Sequence, residues 1–212
     1  MDCEKCNTIE AQFDKKVVTK KLHQYRLKGP KKETKILINA LKSFGINGHT
    51  LLDVGGGFGG LAIELLKVGV ISATNVEASS AYLDGAKTEA TRHGFIDQIS
   101  LIQDDFVSVA NQIKPAEIVT LDKVICCYDD MISLVKASVE KAKKLYGVIY
   151  PRDTWWVKLV IGIENFIRKA QGNGFRVFVH PTQEVDRIVR ENGLKRVFYR
   201  ELIDWQIVVY AR

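Results

Sequence analysis

The chain has 212 residues, 46% of them hydrophobic and 26% charged, with a formal net charge of +6. That length suits one compact α/β domain with a substantial core and is short for a cofactor domain joined to a separate catalytic domain, which counts against most two-domain dehydrogenases. No run of roughly twenty apolar residues could span a bilayer, the first residues are charged from Asp2 onward rather than forming a secretory core, and four cysteines are too few and too irregular for a disulfide framework; the expectation is a cytoplasmic protein.

Taken in chain order, residues 1–33 are polar, lysine-rich and broken by Gly29-Pro30. Within them, Ile9 to Leu27 reads as an amphipathic helix, with Phe13, Val17, Val18, Leu22 and Tyr25 at helical spacing. Thr34 to Phe44 reads as a second helix with Ile36, Leu37, Ala40, Leu41 and Phe44 on one face, stopped by Gly45. A strand from Thr50 to Val54, a glycine-rich turn, a helix from Gly60 to Lys67 and a strand from Val70 to Val76 specify a βαβ unit. Ser79 or Ser80 caps a helix running to His93. Strands follow at Ile99 to Ile102 and Glu117 to Leu121, the latter apolar enough for the centre of a sheet. A long helix is expected over Met131 to Lys144 and a strand over Leu145 to Tyr150, ended by Pro151.

Asp153 or Thr154 caps a helix reaching Ala170, and Gln171 to Gly174 is a turn. Arg176 to His180 reads as a short extra strand or a lid segment. Pro181 to Asn192 is helical, with Pro181 suited to its first turn. Leu194 to Leu202 and Trp205 to Ala211 read as two strands joined in a hairpin, so that one of them runs against the rest of the sheet.

The glycine run is ambiguous by spacing. Gly55, Gly57 and Gly60 satisfy G-x-G-x-x-G, and Gly55, Gly57 and Gly59 satisfy G-x-G-x-G. Two acids discriminate. Asp53 ends the first strand, where a carboxylate repels a pyrophosphate and attracts a ligand bearing an ammonium and a sulfonium. Glu77 lies about twenty residues past the turn, where an acid accepts from two ribose hydroxyls. Both suit S-adenosylmethionine; only Glu77 suits NAD. No metal site is expected, since Cys3-x-x-Cys6 offers half of a structural zinc set and Cys126-Cys127 stands in another stretch.

The stretches LLDVGGGFG (Leu51 to Gly59), NVEASSAYL (Asn75 to Leu83), IQDDF (Ile102 to Phe106) and TLDKVICCYDDM (Thr120 to Met131) make the chain resemble the class I S-adenosylmethionine-dependent methyltransferases. The CCY segment, PRDTWW (Pro151 to Trp156) and FVH (Phe178 to His180) are similar to the small-molecule branch that contains the magnesium-protoporphyrin O-methyltransferases. The resemblance implies one Rossmann-like α/β methyltransferase domain over residues 34–212: a seven-stranded, mostly parallel sheet with helices on both faces and a C-terminal antiparallel hairpin. It implies that residues 1–33 form a helical lid, with Tyr25, Arg26 and Gly29 as lid candidates.

For the cofactor it points to Asp53, Gly55, Gly57, Gly59, Glu77, Ala78, Asp104, Asp105, Phe106 and Asp122. Asp105 is expected at the adenine amino group, with Asp104 as rival and Phe106 beside the ring. For catalysis it points to His180 as general base, Tyr128 on the acceptor side, and Arg152 paired with an acceptor carboxylate. Arg176 has a weaker claim to the same pairing. His23, His49 and His93 have poorer claims as base.

One of Trp155 and Trp156 should enter the acceptor pocket and the other the core, because neighbours cannot share a helical face. The activity implied is attack of a nucleophile on the sulfonium methyl, releasing S-adenosyl-L-homocysteine, with O-methylation of a carboxylate or hydroxyl of an anionic or aromatic small molecule. The alternatives are an RNA or tRNA methyltransferase, for which the lysine-rich start is the only nucleic-acid signal, and a small NAD-dependent oxidoreductase. The Tyr-x-x-x-Lys pair of a short-chain reductase is absent, since Ile132 stands four residues after Tyr128. A monomer or homodimer is expected.

Overall fold

The structure is a computed structural model that describes residues 4–212, with side chains from residue 8 onward. Cys3 and the side chain of Cys6 therefore lie outside the described residues. The apolar runs become seven strands: β1 (Thr50–Val54), β2 (Ser72–Glu77), β3 (Ile99–Gln103), β4 (Ala116–Asp122), β5 (Ala142–Pro151), β6 (Lys195–Glu201) and β7 (Trp205–Ala211). They form one sheet in the order β3-β2-β1-β4-β5-β7-β6. Pairings from β3 through β5 are parallel, and β7 runs antiparallel between β5 and β6. The C-terminal hairpin thus inserts its last strand into the sheet, as the resemblance implies.

The helices are α1 (Glu4–Gln12), α2 (Lys15–Lys28), α3 (Lys32–Lys42), α4 (Gly60–Leu66), α5 (Ser80–His93), α6 (Phe106–Val109), α7 (Met131–Val139), α8 (Trp155–Ala170) and α9 (Thr182–Glu191). Side chains alternate across a strand, so β1 feeds two cores. Leu51 packs with Leu37, Leu41 and Ile63 of α3 and α4 on one face. Leu52 packs with Leu134, Val135 and Ile188 of α7 and α9 on the other. Burial of both faces accounts for the near-continuous apolar character of β1 and β4. No helix among the described residues is long and apolar enough to cross a membrane.

Three local expectations are corrected. The single N-terminal helix is broken at Asp14, whose side chain accepts from Val17 N at 2.8 Å and caps α2. The helix expected to reach Lys144 ends at Val139. The chain turns at Lys141, whose carbonyl accepts from Ala116 N at 3.0 Å, and Ala142 is already paired in β5. Residues 176–180 form no strand; Phe178 N–H donates to Cys126 O at 2.8 Å and ties this segment to the loop after β4. At α8 the second of the two expected cap residues, Thr154, holds the position, without a side-chain bond, while Asp153 pairs with Lys158 at 2.5 Å.

Candidate active site

Because β1 through β5 are parallel, their carboxyl ends share one edge of the sheet, where open α/β sheets receive ligands. Asp53, Glu77, Asp104 and Asp122 all border a cavity there of about 750 Å³. Gly55, Gly57, Ala78, Asp105, Phe106 and Tyr128 border it too. Gly59, by contrast, lies behind the surface. It takes a left-handed conformation (φ 74°) as the N-cap residue of α4, and its N–H donates to Gly56 O at 3.0 Å.

The glycine loop is built by tight packing. Gly55 has φ +61°, its N–H donates to Val76 O at 2.7 Å, and a Cβ there would lie 2.6 Å from Val124. Gly56, which neither glycine pattern marks, is as confined: a Cβ would lie 2.5 Å from Asp53 Oδ2 and 2.6 Å from Asn75 Oδ1. Gly56→Ala is therefore expected to destabilise the fold by about 1–3 kcal/mol through overpacking. Thermal unfolding reads that loss, and an unchanged melting temperature would show that the loop yields freely.

The two acids differ in how they are held. Asp53 is wholly buried; Oδ1 accepts from Thr120 Oγ1 at 2.7 Å, and Oδ2 has no hydrogen-bond donor. Burial raises its pKa to about 7. Glu77 is also buried, but Oε2 accepts from Gly57 N at 2.9 Å and Oε1 from Ser79 N at 3.0 Å. Burial raises its pKa as well, opposed by these backbone donors.

Asp105 caps α6, accepting from Ser108 N at 3.3 Å and Ser108 Oγ at 3.0 Å, while Asp104 Oδ1 accepts from Asp105 N at 2.8 Å. The cap commits Asp105 to the protein more than Asp104. Asp122 receives Thr34 Oγ1 at 2.6 Å and Lys123 Nζ at 3.0 Å, and Lys123 also pairs with Glu33 at 3.1 Å. This network ties the start of α3 to the end of β4.

Four expectations about the acceptor side change. His180 does not border the cavity. Its Nε2 lies 2.7 Å from Tyr128 O, and since a carbonyl only accepts, that nitrogen carries the proton. Burial lowers its pKa. His180 thus clamps the loop after β4 from behind. Arg152 is also absent from the lining: Nη2 pairs with Glu201 at 2.6 Å and Nη1 donates to Leu202 O at 3.3 Å, closing the β6–β7 turn. Arg176 is likewise turned to its own loop, bonding Asn173 O at 2.6 Å and Phe175 O at 2.8 Å. Trp156 borders the cavity, whereas Trp155 is 77% exposed rather than in the core.

The N-terminal helices cross the cavity opening. Ser79 Oγ donates to Phe13 O at 3.1 Å, Ser80 N to Glu10 Oε2 at 2.9 Å, and Asn173 Nδ2 to Gln12 Oε1 at 2.8 Å. Tyr25 and Gly29 border the cavity, but Arg26 turns outward to the buried carboxylate of Glu89. Sequence reasoning missed Lys21. Its ammonium donates to Tyr82 OH at 2.6 Å and stands 4.6 Å above the Phe13 ring, inside the cavity, where burial lowers its pKa. One lysine among many in a basic segment carries no signal that could have found it. Among the described residues no group of three His, Cys, Asp or Glu could hold a metal ion.

No protein-family model and no curated protein matches the chain. Solved structures do. Magnesium protoporphyrin IX methyltransferase from Synechocystis PCC 6803 with bound SAM is 13% identical over 99% of this chain and 98% of that one, with a TM-score of 0.70. An O-methyltransferase family protein from Burkholderia thailandensis is 14% identical over 84% of this chain and 56% of that one, with a TM-score of 0.69. An O-methyltransferase family 2 protein from Planctomyces limnophilus DSM 3776 in complex with apigenin is 15% identical over 87% of this chain and 62% of that one, with a TM-score of 0.62. At these identities the likeness is one of architecture, and the architecture is the Rossmann-like class I methyltransferase fold.

Proposed function

We propose that the chain is an S-adenosylmethionine-dependent methyltransferase that methylates an oxygen, carboxylate or hydroxyl, of a small-molecule acceptor. One observation carries the reading. The glycine loop, a buried Asp53 with one undonated oxygen and a Glu77 that grips the loop share a cavity roofed by the chain's own N-terminal helices. The likeness to a methyltransferase with bound SAM over nearly the whole chain supports it.

When bound, S-adenosylmethionine supplies a methyl group activated by positive sulfur. The protein's task is then to hold two reactants in line and exclude water. Among the lining residues, Glu77 would hold the ribose hydroxyls, Asp53 would offer its carboxylate to the ammonium group, and Asp104 or Asp105 with Phe106 would receive the adenine. Residues 1–33 act as the lid. Beneath it, Trp156, Val160 and Phe175 present apolar surface beside Lys21, which suits an aromatic or anionic acceptor. A carboxylate acceptor needs no base. For a hydroxyl, Lys21 has the position on the cavity wall that His180 lacks. The roofed cavity favours a small acceptor over RNA.

Calorimetric titration with S-adenosylhomocysteine, and with NAD beside it, tests the proposal. Micromolar binding of the former and none of the latter is expected. Heat from NAD alone would replace the methyltransferase by an oxidoreductase.

A further inference from the structure

The loop after β4 holds two adjacent free thiols, Cys126 and Cys127, and both border the cavity. Cys126 Sγ lies 3.4 Å and Cys127 Sγ 3.6 Å from one carbonyl oxygen, that of Lys123. The thiols also hydrogen-bond each other, which with burial holds the Cys126 thiol well above its ordinary range. Cys126 is buried and Cys127 half-buried.

The backbone that carries them is pinned at three points. Cys127 N–H donates to Val124 O at 2.8 Å, Phe178 N–H to Cys126 O at 2.8 Å, and His180 Nε2–H to Tyr128 O at 2.7 Å. Two sulfurs held this way lose little freedom when a single atom bridges them. Sulfur ligands select soft centres. A metal ion would want further ligands, and among the described residues no third His, Cys, Asp or Glu completes a set. A trivalent organoarsenical needs only two sulfurs.

We propose that Cys126 and Cys127 form a dithiol site on the cavity wall for a trivalent arsenical. In the reaction R–As=O meets both thiols. Two S–As bonds form, the As=O bond is lost, and its oxygen leaves as water with the two thiol protons. No oxidation state changes.

The test uses phenylarsine oxide on the full chain carrying Cys3→Ser and Cys6→Ser, since that C-x-x-C is a competing dithiol. Intact mass is expected to show one phenylarsenic group per chain, retained in excess glutathione and removed by 2,3-dimercaptopropanol. Cys127→Ser and Cys126→Ser should each weaken retention against glutathione about 100-fold, because the second S–As bond is no longer intramolecular. Cys127 is half-buried, so its variant decides the matter if Cys126→Ser fails to fold. No adduct in the Cys3→Ser/Cys6→Ser chain, or a glutathione-resistant adduct in Cys127→Ser, would overturn the site. The mass readout needs no methyl transfer, so it stands or falls apart from the methyltransferase reading.

Discussion

Asp53→Asn is expected to make the protein more stable and a poorer binder of S-adenosylhomocysteine at once. The folded carboxyl group has a pKa of about 7, against ~4 in an unfolded chain. Below ~pH 4 both states hold the proton and the group is neutral to stability. Between ~4 and 7 the unfolded chain ionises while the folded one keeps its proton, so stability falls as pH rises. Above 7 the charge is buried in the folded state and the loss is complete, up to ~4 kcal/mol for three pKa units. Asparagine carries no such charge, and its amide can turn a donor toward Asn75 Oδ1, which is buried without one.

The variant's gain in melting temperature should therefore open between pH 4 and 7 and level off above. Glu77 shifts in the same direction, so the difference between the two proteins, not the wild-type trend, isolates Asp53. Binding should run the other way. An ammonium group favours the ionised carboxylate, so wild-type affinity is expected to rise about tenfold per pH unit up to 7 and then flatten. The variant should be flat and weak throughout. Titrations at pH 6, 7 and 8 check this, and a wild-type affinity indifferent to pH would remove Asp53 from the ligand's surroundings.

Why Asp53 could be singled out from the sequence, and Lys21 could not, is a matter of how far the relevant forces reach along the chain. The unit β1–loop–α4–β2 is written locally, as apolar runs of strand length broken by glycines that only a sharp turn requires, so its bounds were legible to within two residues. The last hairpin was legible for the same reason. The boundary after α7 was not. Glu140 to Lys144 are good helix formers with no glycine or proline among them, and what stops the helix is the ladder between Ala116 and Ala142, a contact 26 residues distant that overrides propensity.

The acceptor side failed likewise. Arg152 looked like an anion fork, but its partner Glu201 arrives only when β7 inserts beside β5. His180 looked like a base, but its Nε2–H donates to Tyr128 O and clamps the loop after β4. A charged side chain's partner is set by tertiary structure, and sequence spacing shows only that the charge exists.

Glu77 allows its two roles to be separated by experiment. Each carboxylate oxygen accepts a backbone N–H, Gly57 on one side and Ser79 on the other. Glutamine is nearly isosteric but offers one acceptor and one donor, so in Glu77→Gln one buried N–H faces an NH₂ group. Glu77→Ala leaves both unpaired. At about 1–3 kcal/mol for each buried donor left without a partner, the glutamine variant should lose roughly 1–3 kcal/mol of stability and the alanine variant about twice that. S-adenosylhomocysteine affinity should fall about tenfold in the first and about 100-fold in the second, since each tenfold step is 1.4 kcal/mol.

Part of that loss is damage to the loop and part is the missing ribose contact. An analogue of S-adenosylhomocysteine lacking the ribose 2′- and 3′-hydroxyls distinguishes them. It cannot use the carboxylate, so it should suffer only the loop's share of the loss, and the penalty for either variant should be several-fold smaller with the analogue than with the full ligand. Equal penalties for the two ligands would confine Glu77 to holding Gly57 and Ser79 in place, and the ribose would need another partner.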